Sequence, residues 1–133
     1  MFYALILQST PDQHAICYNL IMRTHRLRLA TTPFNSIVSG TKTIESRLFD
    51  EKRQLIQLGD MLIFVNRDTP NQTTAARVVG LLRYETFHEL FSHNNPAKFG
   101  EENVDWLEKQ ISEFYSDEQQ KQTGVVGIEF ELV

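Results

Sequence analysis

Short strand patterns, separated by helical segments of unequal length, place the strongest limit on the fold of this chain. Three of them, at residues 25–30, 43–49 and 125–133, alternate apolar and polar residues, which is typical of strands with one buried face. No strand–helix–strand unit repeats, so the order predicts an α+β fold with a curled, mostly antiparallel sheet and helices inserted between its strands. The predicted strands cover residues 25–30, 43–49, 61–65, 73–84 and 125–133, and the predicted helices cover residues 33–39, 86–91 and 103–115, with a short helix or turn at 116–122.

The first predicted helix has start and stop signals. Thr32 suits the N-cap and Pro33 the first helical position. Gly40 suits the position just after the helix, because glycine adopts the left-handed conformation without strain. Its predicted apolar face consists of Phe34, Ile37 and Val38.

Three other patterns lead to specific expectations. Gly80 interrupts a strand pattern, so a bulge or a close backbone approach is expected there. The helix at 103–115 should bury one apolar face, made of Val104, Leu107, Ile111 and Phe114. The last strand should place Ile128, Phe130 and Leu132 on one side of the sheet and Glu129 and Glu131 on the other.

The length of 133 residues suits one compact domain. Residues 23–133 form the predicted domain, and residues 1–22 are an extension of uncertain role because they show no sustained period. The first eight residues lack the features of a signal peptide, and no run reaches the roughly 18 apolar residues of a membrane span, so a cytoplasmic location is expected. The single cysteine, Cys17, permits neither an internal disulfide nor a thiolate zinc cluster.

The charges are unevenly distributed along the chain. The net charge of −4 argues against a generally basic nucleic-acid binder. Residues 23–53, however, carry seven basic and three acidic side chains, whereas residues 99–133 carry nine acids and two lysines. This asymmetry predicts a positive face that an anionic ligand would use, with a mixed solvated surface as the alternative.

The segment GTKTIESR, residues 40–47, combines a turn glycine with charged residues on an alternating strand. Alternation places Thr43, Glu45 and Arg47 on one face and directs Ile44 and Leu48 toward the core. Lys42 precedes the strand and can turn toward the same face. Such a cluster can bind phosphate or carbonyl oxygens through its cations and a base amine through its carboxylate. The alternative is an exposed ion pair of little energetic value.

This segment resembles the hallmark pattern of ASCH domains, in which a turn glycine, a lysine and a Glu-x-Arg strand follow one another. The pattern corresponds here to Gly40, Lys42, Glu45 and Arg47, and the order of the neighbouring elements extends the similarity to residues 22–133. The resemblance implies a PUA-like β-barrel with a cleft beside the motif strand. It also implies RNA or a nucleotide-like small molecule as the partner. No metal and no cofactor are expected for this chain.

One ASCH branch resembles a small amidohydrolase acting on N(4)-acetylcytidine. Lys42 matches the lysine of that branch, but Glu45 occupies the position of its threonine nucleophile, and a carboxylate cannot act as the same alkoxide. The distant glutamate of that branch would fall near Glu101 or Glu102. Lys42 and Glu45 are therefore the catalytic candidates if the chain is an enzyme, and other ASCH proteins resemble ribonucleases. A binding module is favoured, with hydrolysis as the alternative.

Other charged and aromatic residues are secondary candidates. Arg53 and Arg77 are candidate ligand contacts beside Lys42, Thr43, Glu45 and Arg47. A solvated loop charge is the simpler interpretation for Arg53, and pairing with an acid on the surface is the alternative for Arg77. His88 and His93 are too isolated to predict a metal site. The candidates for base stacking are Tyr84, Trp106 and Tyr115, with core packing as the alternative.

Overall fold

The computed structural model describes residues 21–133 and contains one five-stranded mixed sheet with five helices around it. The strands are β1 (Thr24–Leu29), β2 (Ile44–Leu48), β3 (Met61–Asn66), β4 (Thr73–Tyr84) and β5 (Val125–Leu132). The helices are α1 (Thr31–Val38), α2 (Glu51–Gln54), α3 (Phe87–Ser92), α4 (Val104–Ser112) and α5 (Asp117–Thr123), with a 3₁₀ turn at Pro96–Lys98. The α+β prediction is confirmed.

The sheet is a curled half-barrel with the strand order β1-β3-β4-β5-β2. Only β1 and β3 pair in parallel, and the other three pairings are antiparallel, as the sequence predicted for most of the sheet. The two edge strands, β1 and β2, are neighbours in sequence, and α1 connects them. The chain therefore crosses the open side of the half-barrel between its first two strands.

Two apolar clusters stabilise this arrangement. The first contains side chains from β1, α1 and the central strands, including Phe64 and Phe130, whose ring centroids are 4.8 Å apart. The second lies where α3 and α4 pack beside β2, and it contains Ile44, Leu90 and Leu107. Burial of such side chains contributes ~1.5–3 kcal/mol each. Because Ile44 and Leu48 both lie in the second cluster, the predicted inward face of the motif strand is correct.

Helix α1 begins earlier than its sequence signals indicate. Ala30 is the N-cap, so Pro33 occupies the third helical position rather than the first. The cause is a contact between distant segments: both the backbone N–H and the hydroxyl of Thr31 donate to Asp68, at 3.1 and 2.8 Å. The predicted stop is correct, because Gly40 has φ +84° just beyond the helix. Val38 is 51% exposed and does not belong to the buried face, which Phe34 and Ile37 form.

The irregularity expected at Gly80 is confirmed. The register between β4 and β5 shifts between Val78 and Gly80, and a Cβ at Gly80 would lie 3.1 Å from the Cβ of Glu129. Besides Val38, two residues predicted on apolar faces are exposed. Leu132 lies at the end of its strand and is 43% exposed, and Phe114 lies two residues beyond the end of α4 and is 61% exposed.

The boundaries of the described residues limit what can be said of the predicted extension. Strand β1 begins at Thr24, close to the predicted start of the domain, whereas residues 1–20 of the extension lie outside the described residues. Within residues 21–133, no helix has the length and apolar character required to span a membrane.

Candidate functional site

The open side of the half-barrel forms a cleft of about 450 Å³ between the two edge strands. We call the junction of β1 and β2 the seam. Backbone pairing does not close it; instead, Nη2 of Arg47 on β2 donates to the carbonyl of Arg28 on β1 at 2.8 Å. Helix α1 forms one wall of the cleft, and α4 with the residues that follow it forms the other.

The floor of the cleft contains a buried triad, which consists of Lys42, Glu45 and Arg47. Nζ of Lys42 lies 2.9 Å from one carboxylate oxygen of Glu45, and Nε of Arg47 lies 2.7 Å from the other. Glu45 is only 5% exposed, and both cationic side chains are 12% exposed. The side chains of Glu45 and Arg47 share a face, as alternation predicted. The exposed ion pair considered as the alternative is excluded by this burial.

Lys42 reaches the triad because the chain is fixed on both sides of it. Its backbone N–H donates to the carbonyl of Ser36 at 2.9 Å, and the next N–H, that of Thr43, donates to Lys98 at 2.8 Å. Gly100, with φ +93°, lies beside the aliphatic part of the Lys42 side chain, and a Cβ there would be 3.5 Å from that of Lys42. The turn after α1 and the residues after the 3₁₀ turn thus enclose Lys42 together.

The triad keeps Glu45 ionised. Burial alone would raise its pKa, but the charges of Lys42 and Arg47 and the hydrogen bonds from both outweigh that effect and lower the pKa from 4.5 to about 2. Burial likewise opposes the charge of Arg47, and Glu45 more than compensates, so the pKa of Arg47 is raised. At neutral pH the floor of the cleft therefore carries one negative and two positive charges.

The complete lining is positive despite the net negative charge of the chain. Arg28 and Arg67 add two exposed cations to those of the triad, and Glu101 adds one carboxylate. Four cationic side chains thus face two acidic ones. Aromatic side chains complete the walls, and among them Phe114 is exposed. A positive cleft with aromatic walls is suited to an anionic ligand that also has a flat apolar part.

The sequence model of the ASCH domain matches residues 27–133, which is most of the chain and includes the whole cleft. The chain belongs to the ASCH domain family. No curated protein compared with this sequence gives a significant match.

Solved structures support the assignment of this ASCH domain. The crystal structure of the hypothetical protein PH0355 has a TM-score of 0.73 and 30% sequence identity, and the match covers 83% of this chain and 99% of that one. Protein PF0455 from Pyrococcus furiosus has a TM-score of 0.65 and 28% identity, with coverage of 83% and 97%. The ASCH domain from Lactobacillus crispatus JV V101 shares the fold alone, with a TM-score of 0.57, 16% identity and coverage of 83% and 79%.

The structure brings together only part of the predicted site. Lys42, Glu45 and Arg47 meet in the cleft, whereas the other three candidates do not line it. Thr43 precedes β2 and is fixed by backbone bonds to Lys98 and Phe130. The other two candidates, Arg53 and Arg77, contact residues outside the cleft.

Arg53 bonds to Asp50 in its own turn, at 3.1 Å, and Arg77 lies on β4 with its guanidinium 3.5 Å from the sulfur of Met22.

Sequence reasoning missed Arg28, Arg67 and Phe114 as residues of the ASCH cleft. Arg28 was visible as one of two arginines on an alternating strand, but nothing indicated that this strand lies opposite β2. Arg67 directly follows β3, and its N–H donates to the carbonyl of Leu29 at 2.7 Å, so the parallel pairing of β1 and β3 places it at the cleft. Glu101, one of the two glutamates considered for a hydrolase, also lines the cleft, whereas Glu102 does not.

The remaining candidates lie elsewhere on the ASCH domain. Tyr115 lines the cleft and packs on Phe87, but Tyr84 stacks on His93, with ring centroids 5.4 Å apart, and does not line it. Trp106 lies on the other side of α4, at a second, shallower depression. Within residues 21–133, no group of three or more histidine, cysteine, aspartate and glutamate side chains is arranged to hold a metal ion.

Proposed function

We propose that this ASCH domain binds RNA or a nucleotide-like small molecule in the cleft at the seam. The supporting observation is the buried triad: Glu45 holds two cations in place, and both border a positive cleft. Glu45 uses one carboxylate oxygen for each cation, so its role is to position Lys42 and Arg47 rather than to contact a base. ASCH domains generally bind RNA, which agrees with this chemistry.

The chemistry of Glu45 supports binding over hydrolysis at the same position. A general base works best when its pKa lies near the working pH. The pKa of Glu45 is about 2, so at neutral pH this carboxylate is a weak base. Its burial beneath two cations also keeps it from an attacking water molecule.

The proposal is tested with Arg28 and Arg67, because both side chains are exposed and their loss does not disturb the triad. Binding of a labelled single-stranded RNA is measured over a salt series, for the wild type and for Arg28→Met and Arg67→Met. Each variant should bind more weakly, and each lost phosphate contact should reduce the slope of log K against log salt by ~0.7.

Arg77→Met is the matched control, since Arg77 is an exposed cation outside the cleft. It should bind as the wild type does. Equal losses in Arg77→Met and Arg28→Met would mean that RNA is held by surface charge in general, and the cleft would then not be the binding site.

Hydrolysis of an acylated nucleoside is a second candidate, and one observation favours it. Glu101 lines the same cleft as Lys42, so an acidic group other than Glu45 is present near the lysine. The measurement is release of acetate from N(4)-acetylcytidine by the wild type, Lys42→Met and Glu101→Gln. Acetate release by the wild type that both variants lack would support catalysis. If the wild type releases no acetate, this second candidate is wrong and the binding proposal stands alone.

A further inference from the structure

A second site lies next to the cleft, on the other side of α4. It is a shallow depression of about 370 Å³, lined by Glu101, Asn103, Asp105, Trp106 and Lys109. Glu101 lines both the cleft and this depression, so the two are neighbours at that residue. Trp106 and Leu107 are consecutive, yet Leu107 faces the cleft and Trp106 faces the depression. Helix α4 thus separates two adjoining binding surfaces.

Trp106 is unusual because the domain leaves so large an apolar ring in solvent. It is 44% exposed, although α4 buries Leu107 in the second apolar cluster. Nζ of Lys109 lies 5.6 Å from the centroid of the indole ring, within the range of a cation–π contact that orients the ring. An exposed, oriented indole beside a lysine is a suitable surface for a base and its phosphate.

The charges of the depression favour a base over a phosphate at its centre. Two carboxylates, Glu101 and Asp105, face a single cation, Lys109. Carboxylates accept hydrogen bonds from the exocyclic amines of bases, whereas they repel phosphate. The cleft has the opposite balance, so the backbone of a strand would lie toward the cleft while a base enters the depression.

We propose that Trp106 and Lys109 form a second subsite, at which the indole stacks a base of single-stranded RNA next to the nucleotide held in the cleft. The subsite rests on the proposed function, because it takes the neighbouring nucleotide of the same strand. It adds a length requirement: a mononucleotide fills the cleft alone, and a trinucleotide reaches both sites.

Trp106 is the single tryptophan of the chain, so its fluorescence reports directly on this subsite. The probes are uridine 5′-monophosphate and a uridine trinucleotide. We expect the trinucleotide to quench the fluorescence and the mononucleotide to bind without quenching. Quenching of equal size by both probes would place Trp106 within the first site and overturn the proposal.

Affinity measurements with variants separate this inference from the proposed function. Trp106→Ala should weaken trinucleotide binding roughly tenfold, in line with the energy of stacking one base, and leave mononucleotide binding unchanged. Trp106→Phe keeps an aromatic ring and should restore most of the loss. Lys109→Met should reduce the salt slope for the trinucleotide by ~0.7 and leave that for the mononucleotide unchanged.

Two failures have different meanings. Suppose that Trp106→Ala binds both probes as the wild type does, while Arg67→Met weakens both. The second subsite is then wrong and the cleft remains the binding site. Failure of the wild type to bind either probe would overturn the proposed function and the subsite with it.

Discussion

Two carboxylates, Glu45 and Asp60, are buried in this domain, and they differ in the groups that compensate their negative charge. They are 5% and 4% exposed, and the pKa of each is lowered although burial opposes this. The burial of the Glu45 charge is compensated by the side-chain cations of Lys42 and Arg47. Asp60 is compensated by His25, whose Nε2 lies 2.8 Å away, and by the backbone N–H groups of Arg23 and Gln57.

The difference in donors distinguishes the proposed binding site from a structural contact. The groups around Asp60 come from its own turn and from the start of β1, and they fix the turn between α2 and β3 to that strand. The cations around Glu45 border an open cleft and have further N–H groups beyond those bonded to the carboxylate. A buried acid alone therefore carries no argument about function, whereas a buried acid that orients cations toward an open cleft supports the binding proposed for this cleft.

The largest expected effect is the loss of the Glu45 charge. Glu45→Gln leaves Lys42 and Arg47 mostly buried without a counterion, so we expect a loss of ~3–5 kcal/mol in the free energy of unfolding. Asp60→Asn keeps one acceptor oxygen, but its amide NH₂ group then faces donors that had a carboxylate oxygen. We expect this variant to lose ~1–3 kcal/mol in the free energy of unfolding. Chemical denaturation of both variants provides the measurement. A larger loss of unfolding free energy in Asp60→Asn than in Glu45→Gln would mean that the side-chain cations contribute less than the donors around Asp60.

Acid should remove the same stabilisation in the wild type. The folded-state pKa of Glu45, about 2, lies below its ordinary value of 4.5. Its contribution is therefore complete above pH ~4.5 and is lost as the pH falls toward ~2. The difference in unfolding free energy between the wild type and Glu45→Gln should narrow over this window, because the variant has no group to protonate at this position. A difference that stays constant between pH 5 and 3 would contradict the assigned pKa.

Removing one partner of each acid should give intermediate effects. Lys42→Met leaves Glu45 with Arg47 alone, and we expect a loss of ~2–3 kcal/mol because a charge loses its strongest neighbour. His25→Ala leaves Asp60 with two backbone donors, so a loss of ~1 kcal/mol is expected. Thermal unfolding at pH 7 compares the two. Equal losses of stability in the two variants would mean that the backbone donors to Asp60 do not compensate for the missing His25 side chain.

The smallest effect belongs to an exposed pair and serves as the baseline. Nδ1 of His88 lies 2.8 Å from Glu108, but the His88 side chain is 68% exposed. Glu108→Gln should change the free energy of unfolding by less than ~0.5 kcal/mol. A loss of stability comparable with that of Lys42→Met would show that burial does not determine how much such a pair contributes to stability.

The sequence predicted the parts of the site that depend on local structure. Alternation placed Glu45 and Arg47 on one face, and Gly40 marked the turn that brings Lys42 beside them. The sequence could not predict that Arg28 and Arg67 line the cleft. Their positions depend on which strands form the edges of the sheet and on the parallel pairing of β1 with β3. The prediction for Arg53 depends on its charge in the loop after the motif strand, and that for Arg77 on its position in a strand. Neither property reveals where a distant wall of the cleft will lie.

The fold was predicted in the same way, with local features correct and long-range ones incomplete. The types of the main elements and the irregularity at Gly80 follow from periodicity and from the properties of single residues. The start of α1 depends on Asp68, which is distant in sequence from Thr31, so a local capping signal at Thr32 was misleading. The exposure of Phe114 likewise depends on where α4 ends against the rest of the domain.

The hydrogen bond from Arg47 to the carbonyl of Arg28 also bears on the pairing of edge strands between molecules. A half-barrel has two edge strands, and each free edge offers backbone groups to which a strand of another molecule can add. Arg47 occupies one acceptor of β1 with a charged side chain, which obstructs a regular intermolecular ladder at that point. An arginine in the opening of the barrel thus protects an edge that the open architecture leaves exposed.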